Sequence, residues 1–238
     1  MTSQPGDKEV GHVHQDLSGG WLRPSVFGAM DGLITNIALV AGVGGGGADA
    51  HLIVLTGMAG LVAGAFSMAL GEYASVETQN DSIRAEVQVE RDELRRHPVA
   101  EQAELAASFM QMGLSRQTAK QVAKEVHADP ALAVRVHISQ ELGVNPDEQP
   151  SPWVAGASSF LCFSVGALLP LIPFLLGFDS LAAGLAAGGV GLFVAGAIAA
   201  RYTTRPWWLG GLRQLGFGAI AAVATYLVGT LIGIGVAG

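Results

Sequence analysis

Charge is scarce in this chain of 238 residues: only 14% of it is Asp, Glu, Lys or Arg, while half is hydrophobic. Cysteine is nearly absent, with Cys162 alone, so a disulfide-stapled fold is excluded. Basic residues are few, 13 against 20 acids, which argues against a nucleic-acid binder. Apolar residues are too many for a disordered chain. No phosphate-cradling P-loop, EF-hand loop or nucleophile motif occurs, so ATP-driven pumping and covalent catalysis have no support. The first 20 residues have no apolar core, and no cleavable signal peptide is expected.

The charge that exists is concentrated. Residues 75–152 hold 21 of the 33 charged residues, with 13 acids against 8 bases. Residues 24–71 hold only Asp31 and Asp49, residues 153–200 only Asp179, and residues 214–238 none. A bilayer core of about 30 Å needs roughly 20 apolar helical residues. Five windows meet this: Ser25–Gly45, Leu52–Ala74, Trp153–Leu176, Leu181–Ala200 and Leu215–Val236. Helices and closed barrels alone satisfy their backbones in lipid, and no strand-like alternation is present. The expected fold is an all-α membrane protein of five transmembrane helices, with a helical domain between helices 2 and 3. The expected units are a polar segment 1–24, helices 1 and 2 in 25–74, the helical domain in 75–152, and helices 3–5 in 153–238.

Lys and Arg alternate from loop to loop. Lys8 and Arg23 precede the first span, eight bases lie in 75–152, and Arg201, Arg205 and Arg213 separate spans four and five. The intervening loops and the C-terminal tail have none. The positive-inside rule then places the N-terminus and the polar domain in the cytoplasm and the C-terminus outside. Gly44–Gly47 is expected to end the first helix, Pro170 and Pro173 to kink the third span, and the recurring glycines to allow close helix packing. Cys162 is assigned no role, and His12, His14 and His51 are expected to be exposed.

Two sets of residues carry chemistry. Within the spans, Asp31 lies about one and a half turns into the first window, where a carboxylate costs about 2.5–3.5 kcal/mol and marks function by default. The alternative is that Asp31 caps a helix starting later. Met68 and Glu72 are an i, i+4 pair, a soft and a hard ligand on one helix face; packing for the one and snorkelling for the other are the plain readings. In the polar domain the second helix is expected to continue through Arg96. A helix follows from Pro98 to Gly113, another from the Ser115 cap to His127, and a third from Asp129–Pro130 to Gly143. Asn145–Pro152 is a linker. Glu86, Glu90, Glu93 and His97 fall within an arc of about 60° at about 100° per residue. Glu90 has no basic residue at i±3 or i±4, and neither Glu101 nor Glu104 has a basic partner at helical spacing. His137 and Glu141 are another i, i+4 pair. Unpaired carboxylates on facing helices invite divalent cations; a solvated acidic face is the other reading. Glu-x-x-His pairs are missing, which argues against a di-iron oxidase centre. His127, at a helix C-terminus, reads as a dipole partner.

The segments DGLITNIALVAGV (Asp31–Val43) and GAFSMALGEYASVETQND (Gly64–Asp81), with QELGV (Gln140–Val144), closely resemble the vacuolar iron transporter family, in a bacterial-type member. The resemblance implies a homodimer that moves Fe(II) out of the cytosol, or into a vacuole in eukaryotes, driven by counterflow of protons; for this chain the expected place is the inner (plasma) membrane, with Mn(II) as a second candidate cargo. Metal ions, protons and lipid are its partners; it is not an enzyme and does not bind nucleic acid. Asp31 and Met68 match the family's pathway residues, with Glu72 joining them. Glu90, Glu93, Glu101, Glu104 and Glu141 match its metal-gathering glutamates. His137 and Ile138 stand where methionines are expected and Val144 where another glutamate is expected, so His137 is a candidate ligand. Two other classes remain: a membrane-anchored metal sensor or store without transport, and a carrier of an organic solute.

Overall fold

In a computed structural model the chain is described over residues 20–145, 149–202 and 204–236. Lys8, His12, His14, most of segment 1–24 and residues 146–148 of the linker lie outside the described residues. Among those described there is no strand. The α-helices are α1 (Leu22–Gly45), α2 (Ala50–Arg96), α3 (Pro98–Gln111), α4 (Arg116–Val126) and α5 (Pro130–Leu142), followed by α6 (Pro152–Leu168), α7 (Ile172–Leu175), α8 (Leu181–Ala200) and α9 (Trp207–Val236).

Five helical segments are long and apolar enough to cross a membrane: α1, α2, the α6–α7 segment, α8 and α9. Their outer faces carry bare apolar side chains such as Leu70, Val165, Ile220 and Leu231. So much exposed apolar surface suits lipid rather than water. Helix α1 is the centre of the bundle and packs against α6, α9, α2 and α8. Glycines permit this. A Cβ on Gly28 would lie 2.7 Å from the backbone oxygen of Ser159, and one on Gly32 would strike the backbone oxygen of Phe163. Asn36, fully buried, ties α1 to α6 by donating its amide to the Ala167 carbonyl.

Local signals set most helix ends. Asp49 accepts from the Leu52 amide at 2.8 Å and starts α2. Gly47 takes a left-handed φ of 85° just after α1. Ser115 caps α4 and Asp129 caps α5, accepting from the amides of Thr118 and Ala131. Gly143, at φ 66°, ends α5. Pro170 and Pro173 break the third span, where a single 3₁₀ turn, Leu169–Leu171, separates α6 from α7.

Two boundaries differ from the sequence expectation. Helix α1 begins at Leu22, so Asp31 lies well inside it, and the alternative in which Asp31 caps a later helix is wrong. Helix α9 begins at Trp207 rather than Leu215, and Arg213 lies in the helix instead of the loop. Pro206 accounts for this, because its carbonyl accepts from the amides of Leu209 and Gly210 and opens the helix early. Helix α2 is unbroken for 47 residues, about 70 Å at 1.5 Å per residue. Its second half leaves the apolar bundle and packs against α3 and α5.

Candidate metal centre

One face of the extended part of α2 is covered by α5, and there Glu90 is buried, only 7% exposed. Its position follows from helical spacing: Val76, Ile83 and Glu90 are seven residues apart and all face inward. Pro98 starts α3 just after α2 ends, which folds the chain back and brings Glu101 to the same place. Helix α5 contributes His137, whose imidazole is 1% exposed.

These side chains converge. His137 Nδ1 lies 3.1 Å from Glu90 Oε1, 3.7 Å from Glu101 Oε2 and 3.5 Å from Glu141 Oε1. One ligand atom from each of Glu90, Glu101 and His137 falls within 4.8 Å of the others. Although Nδ1 is close to it, Glu90 Oε1 has no hydrogen bond of acceptable geometry. A buried carboxylate oxygen without a donor is costly and calls for a partner. Burial, followed by repulsion from Glu141, Glu101 and Glu104, outweighs the attraction of His137 and pushes the Glu90 carboxyl from 4.5 up to about 6. Burial also raises Glu101, with Glu104 adding to it. Beside the cluster is a cavity of about 240 Å³, lined by Glu104, Ser108, His137, Gln140 and Glu141 among others.

Not every residue of the sequence pattern joins. Glu93 sits 3.8 Å from His97 Nε2, and His97 is largely exposed. Glu86 is exposed, and so is Glu104, which only lines the cavity. Three of the basic residues pair elsewhere: Arg84 with Glu77 and Asp81, and Arg95 and Arg96 with Asp92. Sequence reasoning read one residue, His127, only as a helix-dipole partner and missed its place beside the cluster. His127, at the end of α4, puts its Nε2 3.2 Å from Nε2 of His137. Burial lowers its pKa, and His137 adds to this. The signal was two short helices joined at Asp129–Pro130, a hairpin that brings positions ten apart together.

In the apolar bundle, Asp31 is half-buried on α1 and accepts a long hydrogen bond, 3.5 Å, from Thr35 Oγ1. Met68 packs against the Ala65, Phe163 and Ala167 cluster. Glu72 is buried at 9% exposure, which argues against snorkelling into solvent. His51 is exposed, as expected. A groove of about 900 Å³ runs between α1 and α9, with Thr35, Leu39 and Gly42 on one wall and Thr225, Val228 and Ile232 on the other.

Carboxylates with one imidazole form a donor set suited to borderline and hard divalent cations, Fe(II) and Mn(II) among them. The comparisons with known proteins point the same way. A sequence model of the VIT family matches residues 22–230. A vacuolar iron transporter of Acanthamoeba castellanii is 34% identical over 93% of this chain and 83% of its own length. Vacuolar iron transporter 1 of Oryza sativa subsp. japonica is 30% identical over 92% of this chain and 91% of its own. Vacuolar iron transporter 1 of Arabidopsis thaliana is 27% identical over 93% and 90%. The likeness covers both the apolar bundle and the polar helices between its second and third spans, and the chain therefore belongs to the VIT family, a family of iron transporters and not of enzymes.

Proposed function

We propose that the protein is a homodimeric, proton-coupled exporter that moves Fe(II), and also Mn(II), out of the cytoplasm across the plasma membrane. The observation that carries this reading is the convergence of Glu90, Glu101 and His137, with Glu141 beside them, on helices outside the apolar bundle. In this reading residues 75–152 form a cytoplasmic metal-gathering domain, oriented by the Lys and Arg bias of the loops. Glu93 and Glu104 lie at its margin and attract cations to the cluster. The cargo passes to Glu72 and Met68 and then to Asp31, each on a helix of the bundle. A carboxylate cannot readily hold a proton and a cation together, so protons entering from the outer side displace the metal and drive release.

The test is Fe(II) flux in proteoliposomes with an imposed pH gradient. Asp31→Ala is expected to abolish flux, and Glu90→Ala/Glu93→Ala to reduce it severely at low external metal. Normal flux through Asp31→Ala sinks the pathway. Metal binding with no flux in the wild type makes the protein a membrane-anchored binder instead.

A further inference from the structure

The buried ring of His137 has two nitrogens and two different neighbourhoods. Nδ1 faces the carboxylates of Glu90, Glu101 and Glu141. Nε2 faces Nε2 of His127 at 3.2 Å, the rings meeting edge to face with centroids 5.2 Å apart. Four elements thus meet at one imidazole: α2 through Glu90, α3 through Glu101, α5 itself, and the C-terminal end of α4 through His127. His127 is not one of the three residues whose ligand atoms converge.

A neutral imidazole has one nitrogen that donates and one that accepts. Two such nitrogens facing each other at hydrogen-bond distance must take opposite roles. The tautomers of the pair are therefore tied. With its hydrogen on Nδ1, His137 accepts from His127 at Nε2. With its hydrogen on Nε2, His137 donates to His127, and its Nδ1 offers a bare lone pair to the carboxylate cluster. In the second arrangement the hydrogen of His127 sits on its own Nδ1. Passing between the two arrangements relocates hydrogens on both rings and changes the net charge of neither.

We propose that His127 is a positioning residue for cation binding, accepting the Nε2 hydrogen of His137 and so holding Nδ1 free and turned toward Glu90 and Glu101. The proposal rests on the reading that this cluster binds a divalent cation. Metal-ligating histidines nearly always donate their second ring N–H to an acceptor, which fixes tautomer and ring orientation; loss of that acceptor weakens metal affinity by about 10–100-fold. The acceptor is commonly a carboxylate, a carbonyl or water. A second imidazole occupies that place here, in a position that the α4–α5 hairpin fixes.

The test uses Zn(II) as probe and the full-length protein in detergent, with binding followed by titration calorimetry. Glu90→Gln and His137→Ala examine the cluster; His127→Phe keeps a ring without the hydrogen bond; His127→Gln returns an acceptor near the Nε2 position. The expected result is that His127→Phe weakens Zn(II) binding by about 10–100-fold and that His127→Gln recovers most of the loss. Wild-type affinity in His127→Phe overturns the proposal. Equal weakening in both His127 variants also overturns it, because a packing role alone then suffices. Failure of Glu90→Gln and His137→Ala to change binding is a different outcome: it removes the cluster reading itself. Nitrogen-15 spectra of histidine-labelled wild type give a check without any variant. With Zn(II) bound, His137 is expected to carry its hydrogen on Nε2 and His127 on Nδ1, and any other tautomer pair overturns the proposal.

Discussion

At the scale of single residues, Glu90 holds the most informative position. Its carboxyl is raised above the ordinary value of 4.5 to about 6, first by burial and then by its acidic neighbours. A raised pKa means that the folded state holds the proton more tightly than the unfolded chain. The stabilisation this gives is complete below the unfolded value and is lost as pH rises through about 6. Without metal, the polar helices are thus expected to lose stability between about pH 4.5 and 6, as read by denaturant melts of the purified protein. Cation affinity runs the opposite way, since the proton must leave before the metal enters. Zn(II) binding is expected to strengthen across that window, and an affinity flat in pH would refute the assignment of Glu90. Glu90→Gln removes the buried charge while keeping its shape. It is expected to raise the metal-free melting temperature at neutral pH and to weaken Zn(II) binding by at least the roughly 10–100-fold seen for loss of an outer partner. A lower melting temperature would mean that Glu90 is held mainly by its imidazole.

Among the elements, the α1–α6 contact shows how sequence becomes packing. Gly32 lies so near the Phe163 backbone that even a methyl group needs the helices to part. Gly32→Ala is expected to cost about 1–3 kcal/mol, the usual range for overpacking. Gly216→Ala, on the open face of α9, has nothing within 4 Å to strike. Thermal melts in detergent that move equally for the two variants would disprove the contact. The elements were also what the sequence showed best. Caps at Ser115 and Asp129, the glycine stop at Gly143 and the proline break after α6 are local effects, written in neighbouring residues. The start of α9 was less legible, because Arg205 and Arg213 lower the local hydropathy that marked the window, whereas Pro206 decides the backbone. The site was legible only in part. Helical spacing put Glu86, Glu90, Glu93 and His97 on one arc, but α5 covers little of that arc, and Glu90 alone is buried. The match of His127 with His137 depends on how α4 turns into α5, a tertiary fact that no periodicity along one helix contains.

For the whole molecule, charge and apolar surface are divided between two regions joined by α2. The segment 75–152 carries a net charge of −5 out of the −7 of the chain, while the other helices show apolar faces. Helix α2 belongs to both regions and has no glycine or proline between Glu72 and Glu90 at which to bend. Those two buried glutamates are eighteen residues apart, which at 3.6 residues per turn is five full turns. They therefore share one angular phase, separated by about 27 Å along the axis. A helix unbroken in this way fixes not only how far the cluster stands from the bundle but also which way it faces. One alanine inserted between Ala85 and Glu86 would turn Glu90 by about 100° relative to Glu72 and carry it out of its buried seam. Such a variant is expected to reach the membrane and keep its five spans, yet lose Zn(II) binding. The rod thus serves as a protractor as well as a ruler, and its residue count sets the aim of the cluster.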